Sequence, residues 1–296
     1  MSVPAAYIGI IFIWSTTPLA VQWSNNSLSP IAAVAARMTL AAVVAITIML
    51  LLKNQKLHVR QNWKLYAASS LGIFPNMPLV YWAAQYINSG LISVLFGLSP
   101  FFVGLLSSRI LGDTTMNLRR YMALSVSMLG LVVIFMNQLA LGPDAVLGIL
   151  LMLLSVMIFS TSGVMVKGLT SNVAPMMQMT GSLIFSLPGL LVTWYCLDGL
   201  LPTSISMKSI YSVLYLALVG SVIGFMAYFY LLQKLSIATV SLISLITPAF
   251  ALCLGATINN EPLNVSIISG SSLIIFGLVL YNDVFSVNLV RKWMSN

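Results

Sequence analysis

Arg37 stands inside a run, residues 31–44, that is otherwise apolar but for Thr39, where a charge is least expected. It lies seven positions past Pro30, roughly 10 Å along a helix. A cation at that depth costs at least ~2.5 kcal/mol unless it faces water or a partner. Two roles fit: contact with a carboxylate or phosphate of a ligand, or a tie to neighbouring helix carbonyls and side chains. A second polar interruption is the run IFPNMP, with Pro75, Asn76 and Pro78. Proline removes a backbone donor and frees a carbonyl, and the Asn76 amide both donates and accepts. The segment must bend, either to expose polar groups to a cavity or only to fit its neighbours.

Three prolines each follow a hydroxyl: Thr17-Pro18, Ser99-Pro100 and Thr247-Pro248. Ser and Thr can re-satisfy carbonyls freed by proline within a membrane, so these sites read as hinges, cavity lining or fixed kinks. Trp14, Tyr81 and Tyr228 lie deeper in their apolar runs than the interfacial belt that usually holds Trp and Tyr, so they are candidates to wall a cavity. Ser15, Thr16, Ser160 and Thr161 are small and polar, suited to close helix approach or to hydrogen bonding. The expected substrate-binding set is Trp14, Thr17, Arg37, Asn76, Tyr81, Ser99, Ser160, Tyr228 and Thr247. The expected hinges are Pro18, Pro75, Pro78, Pro100 and Pro248.

The elements that hold these residues follow from composition. The 296 residues are 59% hydrophobic and 6% charged, against roughly 25% charged in soluble domains. The chain cannot cover a water-facing surface, so it is expected to be an integral membrane protein. A span needs about 20 apolar residues, and ten candidates fit, near 4–23, 30–52, 64–86, 88–110, 119–137, 144–167, 174–197, 207–232, 235–258 and 264–283. Helices are expected because a backbone in lipid must satisfy itself, and the alternation of barrel strands is absent. The first run has no basic residue before it and no small-residue cleavage site, so it does not read as a cleaved signal. With the N-terminus cytoplasmic, Lys53, Lys56, Arg60, Lys64, Arg109, Arg119, Arg120, Lys167, Lys234, Arg291 and Lys292 all face inside, and only Lys208 faces out. The positive-inside rule then places both termini in the cytoplasm.

The chain also repeats itself. Gln85, Ser93, Ser99-Pro100 and Asp113 recur 148 positions later as Gln233, Ser241, Thr247-Pro248 and Glu261. Trp14-Ser15-Thr16 meets Phe159-Ser160-Thr161 at an offset of 145, as Pro30 meets Pro175. Five helices per half is odd, so the second half enters the bilayer inverted. That is the plan of secondary transporters with a midplane site between the halves. The halves are assigned to residues 1–139 and 140–296.

The spacing of Trp14-Ser15, Arg37, Tyr81-Trp82, Gln85, Ser99-Pro100 and Asp113, with a second copy at Tyr228, Gln233, Thr247-Pro248 and Glu261, resembles the EamA family of the drug/metabolite transporter superfamily. One departure is Thr114-Thr115 after Asp113, where a short charged turn is usual. The resemblance implies a ten-helix carrier of two five-helix repeats, commonly exporting amino acids, metabolites or drugs across a bacterial inner membrane, though importers share the family.

The competing classes lack their residues. An intramembrane enzyme needs a Ser–His pair, paired acids or a metal site, but His58 is the single histidine and the five acids sit at helix ends or in loops. No phosphate loop suggests ATP use, no cofactor is implied, and the basic residues flank spans rather than forming a nucleic-acid face. Cys196 and Cys253 lie in apolar runs and suggest no disulfide framework. Without a midplane carboxylate, transport is expected to proceed by facilitation or exchange. The expected partners are a small substrate and the lipid bilayer, in a multi-pass inner-membrane protein. Arg37 favours a ligand with a negative group, and the Met and aromatic content favours an apolar part, as in an amino acid or a related amphipathic compound. An uptake carrier for a nucleotide-like or organic-acid metabolite is the alternative.

Overall fold

The computed structural model describes residues 2–51, 56–112, 118–141, 143–169, 173–199 and 202–282. Lys53, Asp113, Thr114, Thr115, Arg291 and Lys292, singled out above, lie outside them. The described residues are all-helical. In chain order the helices are α1 (Val3–Ser24), α2 (Pro30–Leu51), α3 (Val59–Ser70), α4 (Asn76–Ala83), α5 (Ser89–Phe96), α6 (Ser99–Ile110), α7 (Leu118–Leu141), α8 (Pro143–Gly168), α9 (Pro175–Leu197) and α10 (Met207–Tyr215). They continue with α11 (Gly224–Lys234), α12 (Ile237–Ser241), α13 (Ile243–Ile258) and α14 (Val265–Asn282), and a π-helical turn, Leu216–Ile223, joins α10 to α11.

Among the described residues, seven continuous helical stretches are long and apolar enough to cross a membrane: Val3–Ser24, Pro30–Leu51, Ser89–Ile110, Asp144–Gly168, Pro175–Leu197, Met207–Lys234 and Ile237–Ile258. The expected span 64–86 is not one helix. It is broken into α3 and α4 by turns over residues 71–75, because Pro75 and Pro78 cannot donate to the helical ladder. In the second half the stretch 148 residues on, 219–223, falls inside the π turn. No proline stands there; Gly220 lies within the widened backbone and Gly224 follows it. Both halves therefore depart from α geometry at matching places, by different local means.

Large apolar side chains face outward on several helices, among them Phe12, Leu129, Met136, Val192 and Val265. In water such a surface would be unfavourable; against lipid it is the expected one. The interior is a shared core. α1 packs on α13, α11, α10 and α5, α2 on α9, and α8 on α4 and α6. α7 and α14 pair chiefly with each other, and glycines set their spacing. A Cβ on Gly130 would lie 2.5 Å from Gly270 O, and one on Gly270 would lie 2.6 Å from Gly130 O.

Long-range hydrogen bonds fix which helix ends lie together. At one end Tyr7 Oη donates to Thr239 O (3.0 Å), and Lys167 Nζ donates to Leu232 O (2.7 Å) and Leu235 O (2.8 Å). At the other, Ser29 Oγ donates to Asp198, Trp23 Nε1 donates to Asn259 Oδ1 (2.9 Å), and Lys208 lies over the Trp23 ring at 4.5 Å.

Candidate functional site

A cavity of about 90 Å³ lies in the centre of the bundle. Its wall takes Trp14, Thr17, Pro18 and Val21 from α1, Arg37 from α2, Met77 and Val80 from α4, and Ile92, Ser93 and Phe96 from α5. α6 and α8 add Ser99, Val103, Phe159, Ser160 and Gly163. The later helices supply Gly220, Phe225, Tyr228, Ile237, Val240, Ser241, Ser244 and Thr247.

The lining falls into pairs along the chain. Met77 and Phe225, Val80 and Tyr228, Ile92 and Val240, Ser93 and Ser241, Phe96 and Ser244, and Ser99 and Thr247 each stand 148 positions apart. Trp14 with Phe159, and Pro18 with Gly163, stand 145 apart. Residues 148 or 145 positions apart thus meet across one space.

Arg37 breaks that pairing. The residue 145 positions on is Ser182, which is buried and donates to Met179 O at 2.8 Å. The Arg37 side chain is 1% exposed. Its Nε donates to Ser221 Oγ (2.9 Å) in the π turn, and Nη1 donates to Tyr81 Oη at a long 3.4 Å. Both partners are neutral, and no acid is among the described residues lining the cavity. The guanidinium has five N–H donors in a planar fork, so these two bonds leave donors available on the cavity side. Gly220 permits the approach: a Cβ there would lie 3.2 Å from Nη2. The π turn, a geometry frequent at functional sites, therefore both holds and makes room for the cation.

Opposite walls are aromatic and hydroxylic. Trp14, Phe159 and Tyr228 form a cluster, with ring centroids 5.8 Å apart for Trp14–Phe159 and 5.4 Å for each ring's contact with Tyr228. Phe96 stands edge-on to Phe159 at 5.9 Å. Thr17 donates to Ile13 O (2.7 Å), Ser241 to Ala238 O (2.8 Å) and Ser244 to Ser241 O (2.6 Å). With their protons committed to backbone, these hydroxyls offer lone pairs rather than hydrogens.

Of the expected binding residues, Trp14, Thr17, Arg37, Ser99, Ser160, Tyr228 and Thr247 line the cavity. Asn76 and Tyr81 do not. The Asn76 amide donates to Gly72 O (2.9 Å) and accepts from Ser155 Oγ (2.6 Å), spending its polarity on the α3–α4 break and on α8. Tyr81 is fully buried behind Arg37. Of the expected hinges, only Pro18 lines this cavity. The hydroxyls before Pro18 and Pro100 do not serve the carbonyl four residues before the proline. Thr17 bonds Ile13 O, and Ser99 Oγ pairs with Ser160 Oγ at 3.3 Å. Sequence reasoning missed Ser221, Gly220, Ser93, Phe96 and Phe159 as site residues. Gly220-Ser221, a small polar pair in the apolar run 213–223, was the visible signal.

A second cavity, about 320 Å³, adjoins the first and shares Val103, Ile237 and Ser241 with it. It lies at the end of Lys167 and Arg120. The opposite end is tied across the halves. Glu261 accepts from Ser89 Oγ (2.6 Å), Ser89 N (3.3 Å), Gly90 N (3.2 Å) and Asn259 Nδ2 (3.1 Å). Gln22 joins this network, accepting from Asn259 Nδ2 (3.3 Å) and donating to Ile87 O (3.0 Å).

A model of the EamA-like transporter family matches residues 3–136 and again 146–282. An uncharacterized transporter of Archaeoglobus fulgidus is 25% identical over 91% of this chain and 95% of its own length. The uncharacterized transporter YoaV of Bacillus subtilis is 24% identical over 94% and 96%, and the protein PecM of Dickeya dadantii is 24% identical over 75% and 74%. A solved crystal structure superposes with a TM-score of 0.69 at 18% identity, covering 95% of this chain and 97% of that one, which establishes a shared fold.

Proposed function

Because the chain belongs to the EamA-like transporter family, and is a multi-pass membrane transporter rather than an enzyme, we propose that it carries a small amphipathic metabolite with a carboxylate, an amino acid or a relative, through the central cavity. The observation that carries this reading is Arg37, a buried cation whose hydrogen-bond partners, Ser221 and Tyr81, are both neutral, at a cavity without a lining acid among the described residues. Its charge is balanced when a ligand carboxylate arrives, and a fork of N–H donors suits a bidentate carboxylate. The lone pairs of Thr17, Ser241 and Ser244 suit an ammonium group, and the Trp14–Phe159–Tyr228 wall suits an apolar side chain.

Transport by this reading is alternating access between residues 1–139 and 140–296, two five-helix repeats inverted across ten spans. The paired lining residues at offsets of 148 and 145 support it. The positive-inside rule puts the Lys167 end and both termini in the cytoplasm of a bacterial inner membrane, so the described state, tied at the Glu261 end and hollow at the Lys167 end, faces inward. Export is the proposed direction.

Counterflow in proteoliposomes, with labelled amino acids, organic acids, nucleosides and cationic dyes, tests the reading. The expected result is exchange of anionic or zwitterionic compounds that Arg37→Gln abolishes while remaining folded. Exchange of neutral or cationic compounds alone, undiminished in Arg37→Gln, would overturn it.

A further inference from the structure

The second cavity, about 320 Å³, has charged side chains of one sign among its described lining residues. Arg120, from the first turn of α7, and Lys167, from the last turn of α8, both line it, with no acid among the described lining residues. Lys167 Nζ donates to Leu232 O and Leu235 O; an ammonium has three donors, so one remains. Ser107 supplies an independent sign of a missing ligand. It lines the same space, is 5% exposed, and its Oγ has no hydrogen-bond partner among the described residues. A buried hydroxyl left unsatisfied is costly, and a ligand oxygen in the cavity would remove that cost. Ser236 and Ala238, on the same wall, are exposed, so the space reaches the surface. Val103, Ile237 and Ser241 line both this space and the central cavity that Arg37 lines.

We propose that this cavity is a receiving site for an oxyanion, the carboxylate or phosphate of the compound being carried, held by Arg120, Lys167 and Ser107 before it passes to Arg37. A low-dielectric cleft with charge of one sign focuses its field and concentrates counter-charged ligands. The inference builds on the carrier reading but does not depend on Arg37 being the anchor. That reading stands or falls on transport by Arg37→Gln, whereas this one is tested by a local reaction rate.

The test uses the full chain in neutral phosphatidylcholine vesicles, with Cys196→Ser and Cys253→Ser and a reporter thiol, Ser241→Cys, where the two cavities join. Its modification by sulfonatoethyl methanethiosulfonate, an anion, is compared with that by the trimethylammonioethyl reagent, each divided by its rate with a free small thiol. The expected result is an anion preference of about tenfold, lost in Arg120→Gln, restored in Arg120→Lys and collapsed by molar salt, with benzoate, added as a competing carboxylate, slowing modification less in Ser107→Ala than in the parent. The salt series keeps the test decisive if Arg120→Gln does not fold. Equal rates, a cation preference, or a preference indifferent to salt and to Arg120 would overturn the proposal. So would an anion preference that phosphatidylglycerol abolishes beyond the change it causes at an exposed reference thiol, Arg60→Cys, which would assign the cavity to a lipid headgroup rather than to the surface potential.

Discussion

Glu261, which follows α13 in the second half, closes on Ser89, the first residue of α5 in the first half, accepting from its hydroxyl at 2.6 Å and from its backbone N–H at 3.3 Å. With Gly90 N also donating to the carboxylate at 3.2 Å, an acid of one half caps a helix of the other, where a negative charge meets the positive end of the helix dipole. Gly255 makes the approach possible, since a Cβ there would lie 2.5 Å from Glu261 Oε2.

Removing that cap is expected to loosen the tied end. Glu261→Ala should lower stability by about 1–2 kcal/mol, seen as a reduced thermal midpoint in detergent. Glu261→Asp should lower it less, because the shorter acid still accepts from at least one donor. An unchanged midpoint in Glu261→Ala would show that the link is not holding the two halves.

Arg37 separates function from stability. Its cation is buried without a described acidic partner, so neutralising it relieves desolvation rather than stranding a counter-charge. Arg37→Gln is expected to keep or raise the thermal midpoint while abolishing exchange. Arg37→Lys should lose at least roughly tenfold in exchange, because a point ammonium cannot hold Ser221 and Tyr81 and present a fork as well. A large fall in midpoint for Arg37→Gln would make the residue structural.

Asn76 should show the reverse pattern. Asn76→Ala strands Gly72 O and the Ser155 hydroxyl in a fully buried place, a loss of about 2 kcal/mol. Exchange measured on the folded fraction should stay near that of the parent protein, since the side chain does not line the cavity. Selective loss of exchange without loss of stability would return Asn76 to the transport path.

Gly220 and Gly130 test two close approaches. Gly220→Ala puts a Cβ 3.2 Å from Arg37 Nη2, a contact the guanidinium can yield to by a small shift. The expected effect is a raised KM for exchange with little change in midpoint. Gly130→Leu forces side chain into the Gly270 backbone, and overpacking of this kind costs roughly 1–3 kcal/mol, read as a lower midpoint.

Composition alone dictates the solvent and the helical class, and spacing alone raises the two-repeat plan. With 6% charged residues, no soluble surface was possible, and a lipid-embedded backbone has few ways to satisfy itself. Of the positions that recur at 148, Ser99 with Thr247 and Ser93 with Ser241 face the cavity, although Ser93 and Ser241 read in the sequence only as marks of the repeat, while Pro100 and Pro248 stay off its wall. What periodicity could not give was which way a polar side chain turns. Asn76 and Thr17 look alike as polar residues beside proline, yet one is used up within the fold and the other faces the cavity. Only the tertiary structure placed Ser221 on Arg37 across 184 positions and widened the helix there into a π turn. Those choices rest on contacts between helices far apart in sequence, each available only once the neighbouring helix is in place.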